Sequence, residues 1–235
     1  MRNSRIKRRL FILVSVLFLA WNSARAERFP FKIYTTADGL AHDSVNKIVR
    51  DSRGFLWFCT ADGLSRFNGY SFKTYTQEQG LPSRNINDLL ETKDGTYLIA
   101  TSGGLAVFDP LGKAYRWNVI DGKLEQNGAE PPMFQTIAPP DEPANKNSKM
   151  IVSLAQRGDG VIYAGTNHGL YRFVRTSNGG EFRLVESAFF QEKGALYGGL
   201  LLDTKGGLWV VTSGAVFRMT GDEQLEKIAG IGGRE

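Results

Sequence analysis

An all-β fold of repeated four-stranded units is what this sequence predicts, on three observations. Runs of Val, Ile, Leu, Phe, Tyr and Trp, four to seven residues long, alternate with turns of Gly, Asp, Asn and Ser. No helix-period stretch of useful length follows residue 26. The third observation is an internal repeat. "IVRDSRGFLWFCTADGLSRF" (48–67), "LLETKDGTYLIATSGGLAVF" (89–108), "LAQRGDGVIYAGTNHGLYRF" (154–173) and "LLLDTKGGLWVVTSGAVFRM" (200–219) share one internal spacing. An apolar residue is followed six positions on by Gly54, Gly95, Gly160 or Gly206, and six further by Thr60, Thr101, Thr166 or Thr212.

The match extends outside this core. "FKIYTTADGL" (31–40) repeats as "FKTYTQEQGL" (72–81) after 41 residues, the same interval as Gly54 to Gly95. A period of that length with four short strands per unit predicts a β-propeller. In the first unit the strands read as 45–50, 55–60, 64–67 and 70–76, with glycine in the turns between them. The blades then cover about 45–76, 86–119, 151–186 and 197–229, within a propeller region of 29–235. The second strand, "FLWFCT", does not alternate apolar with polar, which fits a strand buried on both faces between neighbouring blades. Trp57 and Trp209 occupy equivalent places there and read as inter-blade packing, with ligand stacking as the alternative. Cys59, the single cysteine, aligns with Ala100, Gly165 and Val211 and reads as a buried space-filler rather than a reactive thiol.

Two segments depart from the regular period. Gly95 and Gly160 lie 65 residues apart, and the excess falls around residues 121–149, which hold five of the eight prolines and read as an extended surface loop. Residues 29–36 match an outermost blade strand that has no first three strands before it, while the last unit has its own fourth strand at 225–229. In a closed ring 29–36 would serve as the closing strand. Here the strand count predicts an incomplete ring, and a self-contained four-bladed ring is the alternative.

The chain opens with a basic head (Arg2, Arg5, Lys7, Arg8, Arg9), an apolar run from Leu10 to Trp21, and Ala24-Arg25-Ala26. That order predicts an export signal over 1–26 and a periplasmic mature chain. The signal holds six of the 29 basic residues and no acidic one, so the mature part has 23 basic against 24 acidic residues, a net of −1. The overall charge of +5 therefore belongs to the signal and gives no support for nucleic-acid binding. With one cysteine, the exported chain has no internal disulfide and must hold by packing.

With these residues in view, "DGLAHDSVNKIVRDSRGFLWFCTADGLSRFNGYSFKTY" resembles the two-component regulator propeller repeat of periplasmic sensor regions in hybrid histidine kinases and related receptors. The resemblance extends over nearly all of 29–229. It departs at Cys59, where the family usually has glycine, and in the middle units, which lack the tryptophan. It implies a sensor region that continues, in a longer receptor, through further blades and a membrane helix to a kinase or other output module.

Blade strands run outward from the central axis. The loops entering each first strand and those joining the second and third strands therefore share one face, the usual binding surface of propellers. That face collects His42, Asp43, Ser44, Asp62, Arg84, Asn85, Asn87, Ser102, Asn167, His168 and Ser213. The set suits a polar ligand such as a glycan fragment. Turn chemistry alone also places Asp, Asn and Ser in such loops, which leaves His42 and Arg84 as the least explained. No Ser-His-Asp set, HExxH, CxxC or calcium-loop motif appears, so no catalytic residue, metal site or cofactor is expected. A propeller lyase or hydrolase and a protein-interaction scaffold are the alternatives to a sensor.

Overall fold

The computed structural model describes residues 31–108, 117–120, 123–126, 133–139, 149–167, 169–176, 179–186, 199–220 and 224–230. The predicted export signal and His168 lie outside them. Four antiparallel four-stranded sheets form a β-propeller. The first blade is β1 (Val45–Arg50), β2 (Leu56–Thr60), β3 (Gly63–Phe67) and β4 (Phe72–Tyr75). The second begins with β5 (Ile86–Glu91), β6 (Tyr97–Thr101) and β7 (Gly104–Phe108). Beyond β7, β8 (Trp117–Ile120) and β9 (Lys123–Gln126) pair as a separate hairpin before β10 (Phe134–Ile137) completes the second blade. The third blade is β11 (Ile151–Gln156), β12 (Ile162–Thr166), β13 (Leu170–Thr176) and β14 (Gly179–Glu186). The fourth is β15 (Gly199–Leu202), β16 (Leu208–Val211), β17 (Ala215–Met219) and β18 (Leu225–Gly230). The first strands line up side by side, β1 against β5, β5 against β11 and β11 against β15.

Two sequence expectations are corrected. The second blade does not end near 119: its fourth strand is Phe134–Ile137, inside the segment read as loop 121–149. The long excursion therefore leaves between the third and fourth strands of this blade, ahead of β10. Phe134-Gln135-Thr136-Ile137 repeats the apolar ends of Phe72-Lys73-Thr74-Tyr75, and Phe134 is buried against Tyr75 and Phe108. The predicted closing strand 29–36 is the second correction. Residues 31–35 carry no strand, and Thr36–Asp38 is a single 3₁₀ turn. Tyr34 nevertheless packs edge-on against Phe67 and Phe72 of the first blade, as Tyr75 packs on Phe108 and Phe134 of the second.

The repeated residues make the same bonds in each unit. Thr60, Thr101, Thr166 and Thr212 are buried, and their hydroxyls donate to the carbonyls of Gly63, Gly104, Gly169 and Ala215 at 2.7–3.1 Å, closing the turn between second and third strands. Gly54, Gly95, Gly160 and Gly206 have φ between 81° and 91°, and their amides donate to Asp51, Thr92, Arg157 and Asp203. A Cβ at these four glycines would meet nothing within 4 Å, so it is the left-handed backbone that favours glycine there. The same linker recurs too. Thr35 and Thr76 each cap a 3₁₀ turn with a full capping box, and each turn ends on a left-handed glycine, Gly39 or Gly80.

The first and second blades meet at Trp57, which is 0% exposed and packs against Tyr75, Tyr97 and Phe108. Its indole N–H donates to Asp51 Oδ2 at 2.9 Å, and the Tyr97 hydroxyl donates to the same oxygen at 2.7 Å. Burial pushes the Asp51 carboxyl up, but hydrogen bonds from Trp57, Tyr97 and the amides of Phe55 and Arg53 outweigh it, and the group lies below the ordinary carboxylate range. A depressed carboxyl stabilises the fold at pH above its unfolded pKa of about 4, and that contribution fades as pH falls through the lower folded value. Asp51→Asn is expected to be less stable than wild type at neutral pH, with the gap closing in acid. Urea midpoints measured from pH 7 down to pH 3 check this, and a gap independent of pH contradicts it.

Cys59 is fully buried in the same interface, and burial pushes its thiol far up. An aromatic disulfide reagent is therefore expected to leave the folded protein unmodified and to react once urea unfolds it. Rapid modification in buffer would contradict that burial.

Candidate functional site

The candidate site lies on the face made by the loops entering the first strands and the turns between second and third strands. Asp62 sits in the turn from β2 to β3, and Arg84 precedes β5 in the next blade. Arg84 donates from Nε and a terminal nitrogen to the two Asp62 oxygens at 2.6 and 2.9 Å. That bidentate contact and the Arg84 charge hold the Asp62 carboxyl below its ordinary range. Both groups remain open to solvent, with Arg84 68% and Asp62 38% exposed at the side chain. Two guanidinium N–H groups are engaged in this way, and the others remain as donors on an exposed surface.

His42 is exposed on the same face. Its Nδ1 accepts the Ser44 amide at 2.9 Å, which places the proton of the neutral ring on Nε2. Asp43 is used structurally: its Oδ1 accepts the Thr36 amide at 2.9 Å and ties the incoming linker to β1. Asn85 is the centre of an amide cluster. It accepts from Asn46 at 3.1 Å and donates to Asn87 and Ser102 at 2.8 and 2.9 Å. Asn46 and Asn87 hold equivalent positions in β1 and β5, and donate to the carbonyls of Ile86 and Ile151 in the following blade. Asn46 was not singled out from sequence. Its signal was the 41-residue interval that pairs it with Asn87.

The structure thus brings Asp62 and Arg84 into contact and sets Asn85 next to them, with His42 exposed on the same face. Asn167 lies in the corresponding turn after β12, while His168 is outside the described residues. Among the described residues no cluster of His, Cys, Asp and Glu could hold a metal ion. A shallow crevice of about 280 Å³ lies elsewhere, at the turn face between the second and third blades, lined by Thr92, Lys93, Asp94, Gln156, Gly160, Ile162 and Phe173. The Lys93 amide donates to Gln156 across it at 3.1 Å, and the lysine ammonium binds the Gly158 carbonyl. These bonds join two blades, so the crevice reads as a packing seam rather than a second site. The loop face is the better candidate because its arginine and histidine are exposed.

Short antiparallel blades set side by side, with polar loops collected on one face, define this protein as a β-propeller. Residues 39–62 match the two component regulator propeller family. Histidine kinase P4 of Formosa agariphila is 40% identical over 62 residues, a match that covers 26% of this chain and 4% of that protein. The extracellular domain of the putative one component system BT4673 from B. thetaiotaomicron superposes with a TM-score of 0.59 at 19% identity, covering 86% of this chain and 23% of that one. The WD40 β-propeller domain of Doa1 superposes with a TM-score of 0.52 at 12% identity, covering 78% of this chain and 54% of that one. Among the described residues no helix is long and apolar enough to cross a membrane.

Proposed function

We propose that this chain is an extracytoplasmic ligand-binding region of a two-component-type sensor, and that its loop face takes a polar ligand of the glycan-fragment class. The observation that carries this reading is the exposed Asp62–Arg84 pair, with Asn85 beside it and His42 on the same face. The pair offers fixed acceptors and donors side by side, which is the pattern a sugar hydroxyl or a uronate carboxylate can engage. The repeat match, the histidine kinase relative and the extracellular sensor neighbour support the sensing role. In such a receptor the binding signal passes to a kinase or other output module, and the chain itself performs no catalysis.

An array of neutral and uronate oligosaccharides, probed with mature chain 27–235, tests the reading. Retention of a glycan by wild type, and its loss in Arg84→Ala and His42→Ala, is the expected result. Both side chains are exposed, so neither change should move the thermal midpoint appreciably. Turnover of a retained glycan would favour the enzyme alternative. Absence of any glycan binding, with specific capture of an envelope protein, would favour the scaffold.

A further inference from the structure

The Asp62–Arg84 pair is an addition to the repeat rather than part of it. The turn from second to third strand closes in the same way whatever residue stands at the Asp62 position. The amides of Asp62, Gly103 and Gly214 each donate to the hydroxyl of the threonine two residues before, at 3.2, 3.1 and 3.3 Å. The turn needs no side chain there, and at Gly103 it admits none, because a Cβ would lie 2.6 Å from the Pro82 carbonyl oxygen. Arg84 is equally particular. Its counterpart 41 residues earlier is Asp43, which accepts the Thr36 amide and so serves the linker. An ion pair as exposed as this one also adds little to stability.

Both members are held from behind. Thr60, fully buried, donates to the Gly63 carbonyl and fixes the turn that carries Asp62. Arg84 is followed by Asn85, whose carbonyl accepts the Ser102 amide and whose side chain donates to the Ser102 hydroxyl. On these mounts the Asp62 carboxylate fills the Nε edge of Arg84, an edge along which a guanidinium grips a carboxylate with two parallel bonds. A carboxylate has about four lone-pair sites, so Asp62 can still accept from sugar hydroxyls, and the guanidinium N–H groups it leaves unused can still donate to them. A ligand carboxylate finds that edge filled. At the remaining edge it meets the repulsion of Asp62, which Arg84 keeps ionised.

We propose that Asp62 sets the selectivity of the loop face, admitting neutral saccharides through adjacent hydroxyl groups and turning away uronates. This rests on the loop face being a saccharide site and adds which class of saccharide it takes. Two neighbouring hydroxyls can donate to Asp62 and accept from Arg84 at once. An ionised carboxylate cannot copy that, because it has no proton to donate. Asparagine at position 62 keeps the size of the side chain, loses its charge, and leaves the guanidinium to a ligand carboxylate.

An array that sets each uronate oligosaccharide beside its carboxyl-reduced counterpart, probed with mature chain 27–235 and followed by calorimetry on the best-bound pair, tests this. Wild type is expected to bind the reduced member about tenfold or more tighter than the uronate, and Asp62→Asn to lower that ratio by about tenfold through a gain in uronate affinity. Asp62→Gly, the residue that the second and fourth turns already carry, should lower the ratio as well and covers the case in which asparagine disturbs the turn. Uronate binding by wild type that equals or exceeds binding of the reduced member, and is lost in Arg84→Ala, overturns the selectivity and leaves the saccharide site standing. An unchanged ratio in both Asp62 variants overturns the role of Asp62. Absence of binding to every member of the array overturns the selectivity and the saccharide site together.

Discussion

Trp57→Ala is expected to lower the stability of the fold by about 3–5 kcal/mol, the range for deleting a buried tryptophan. The side chain is fully buried against three aromatic rings contributed by two blades. Its loss also removes a donor from Asp51, whose carboxylate is buried and depends on Trp57 and Tyr97 together. Tyr97→Phe isolates that second effect: it keeps the ring, removes only the hydroxyl, and is expected to cost about 1 kcal/mol. Because both donors serve one oxygen, the double variant should depart from the sum of the singles, whereas two independent contacts would add. Urea unfolding at fixed protein concentration, followed by circular dichroism, measures all three. A Trp57→Ala cost below that of Tyr97→Phe would contradict the packing role.

Asp88→Ala is expected to cost a similar amount, about 3–5 kcal/mol, by breaking a buried charge network. Asp88 is almost fully buried at the inner edge of the second blade and joins three blades. Lys47 of the first blade reaches one carboxylate oxygen at 2.5 Å, while the Ser153 hydroxyl and Leu154 amide of the third donate to the other at 3.0 Å. Ser153 in turn accepts the Leu200 amide of the fourth blade at 3.1 Å, so the chain of bonds runs through the whole array. Removing the carboxylate leaves a buried hydroxyl and a buried amide without their acceptor. Lys47→Ala should cost much less, because that side chain is 42% exposed and its ammonium can be rehydrated. Equal losses for Asp88→Ala and Lys47→Ala in the same urea series would contradict this division.

What the sequence shows of the fold is what each unit does for itself. The Gly and Thr positions bond within their own turns, so they recur at fixed intervals and can be read without knowing any neighbour. The acid–tryptophan pair also recurs locally, as Asp51 with Trp57 and Asp203 with Trp209. Strand β10 was hidden because the prolines around it signal loop, although Phe134 to Ile137 keeps the apolar ends of a fourth strand. Contacts between blades are harder to read. The equivalents of Asp88 are Lys47, Ser153 and Gly199, residues with no shared chemistry, so alignment of the repeats conceals the network they build. Arg84 and Asp62 were each picked out as loop residues, but nothing local pairs two side chains from different blades.

Those same two residues give the account its most direct test. Calorimetric titration of the best-retained oligosaccharide from the array into wild type, Arg84→Ala and Lys205→Ala separates the loop face from the rest of the surface. Lys205 is exposed in the turn from β15 to β16, on the opposite face of the blades. The account predicts that Arg84→Ala abolishes the binding heat while Lys205→Ala binds as wild type does. Undiminished binding by Arg84→Ala, or its loss in Lys205→Ala alone, would contradict the assignment of the loop face.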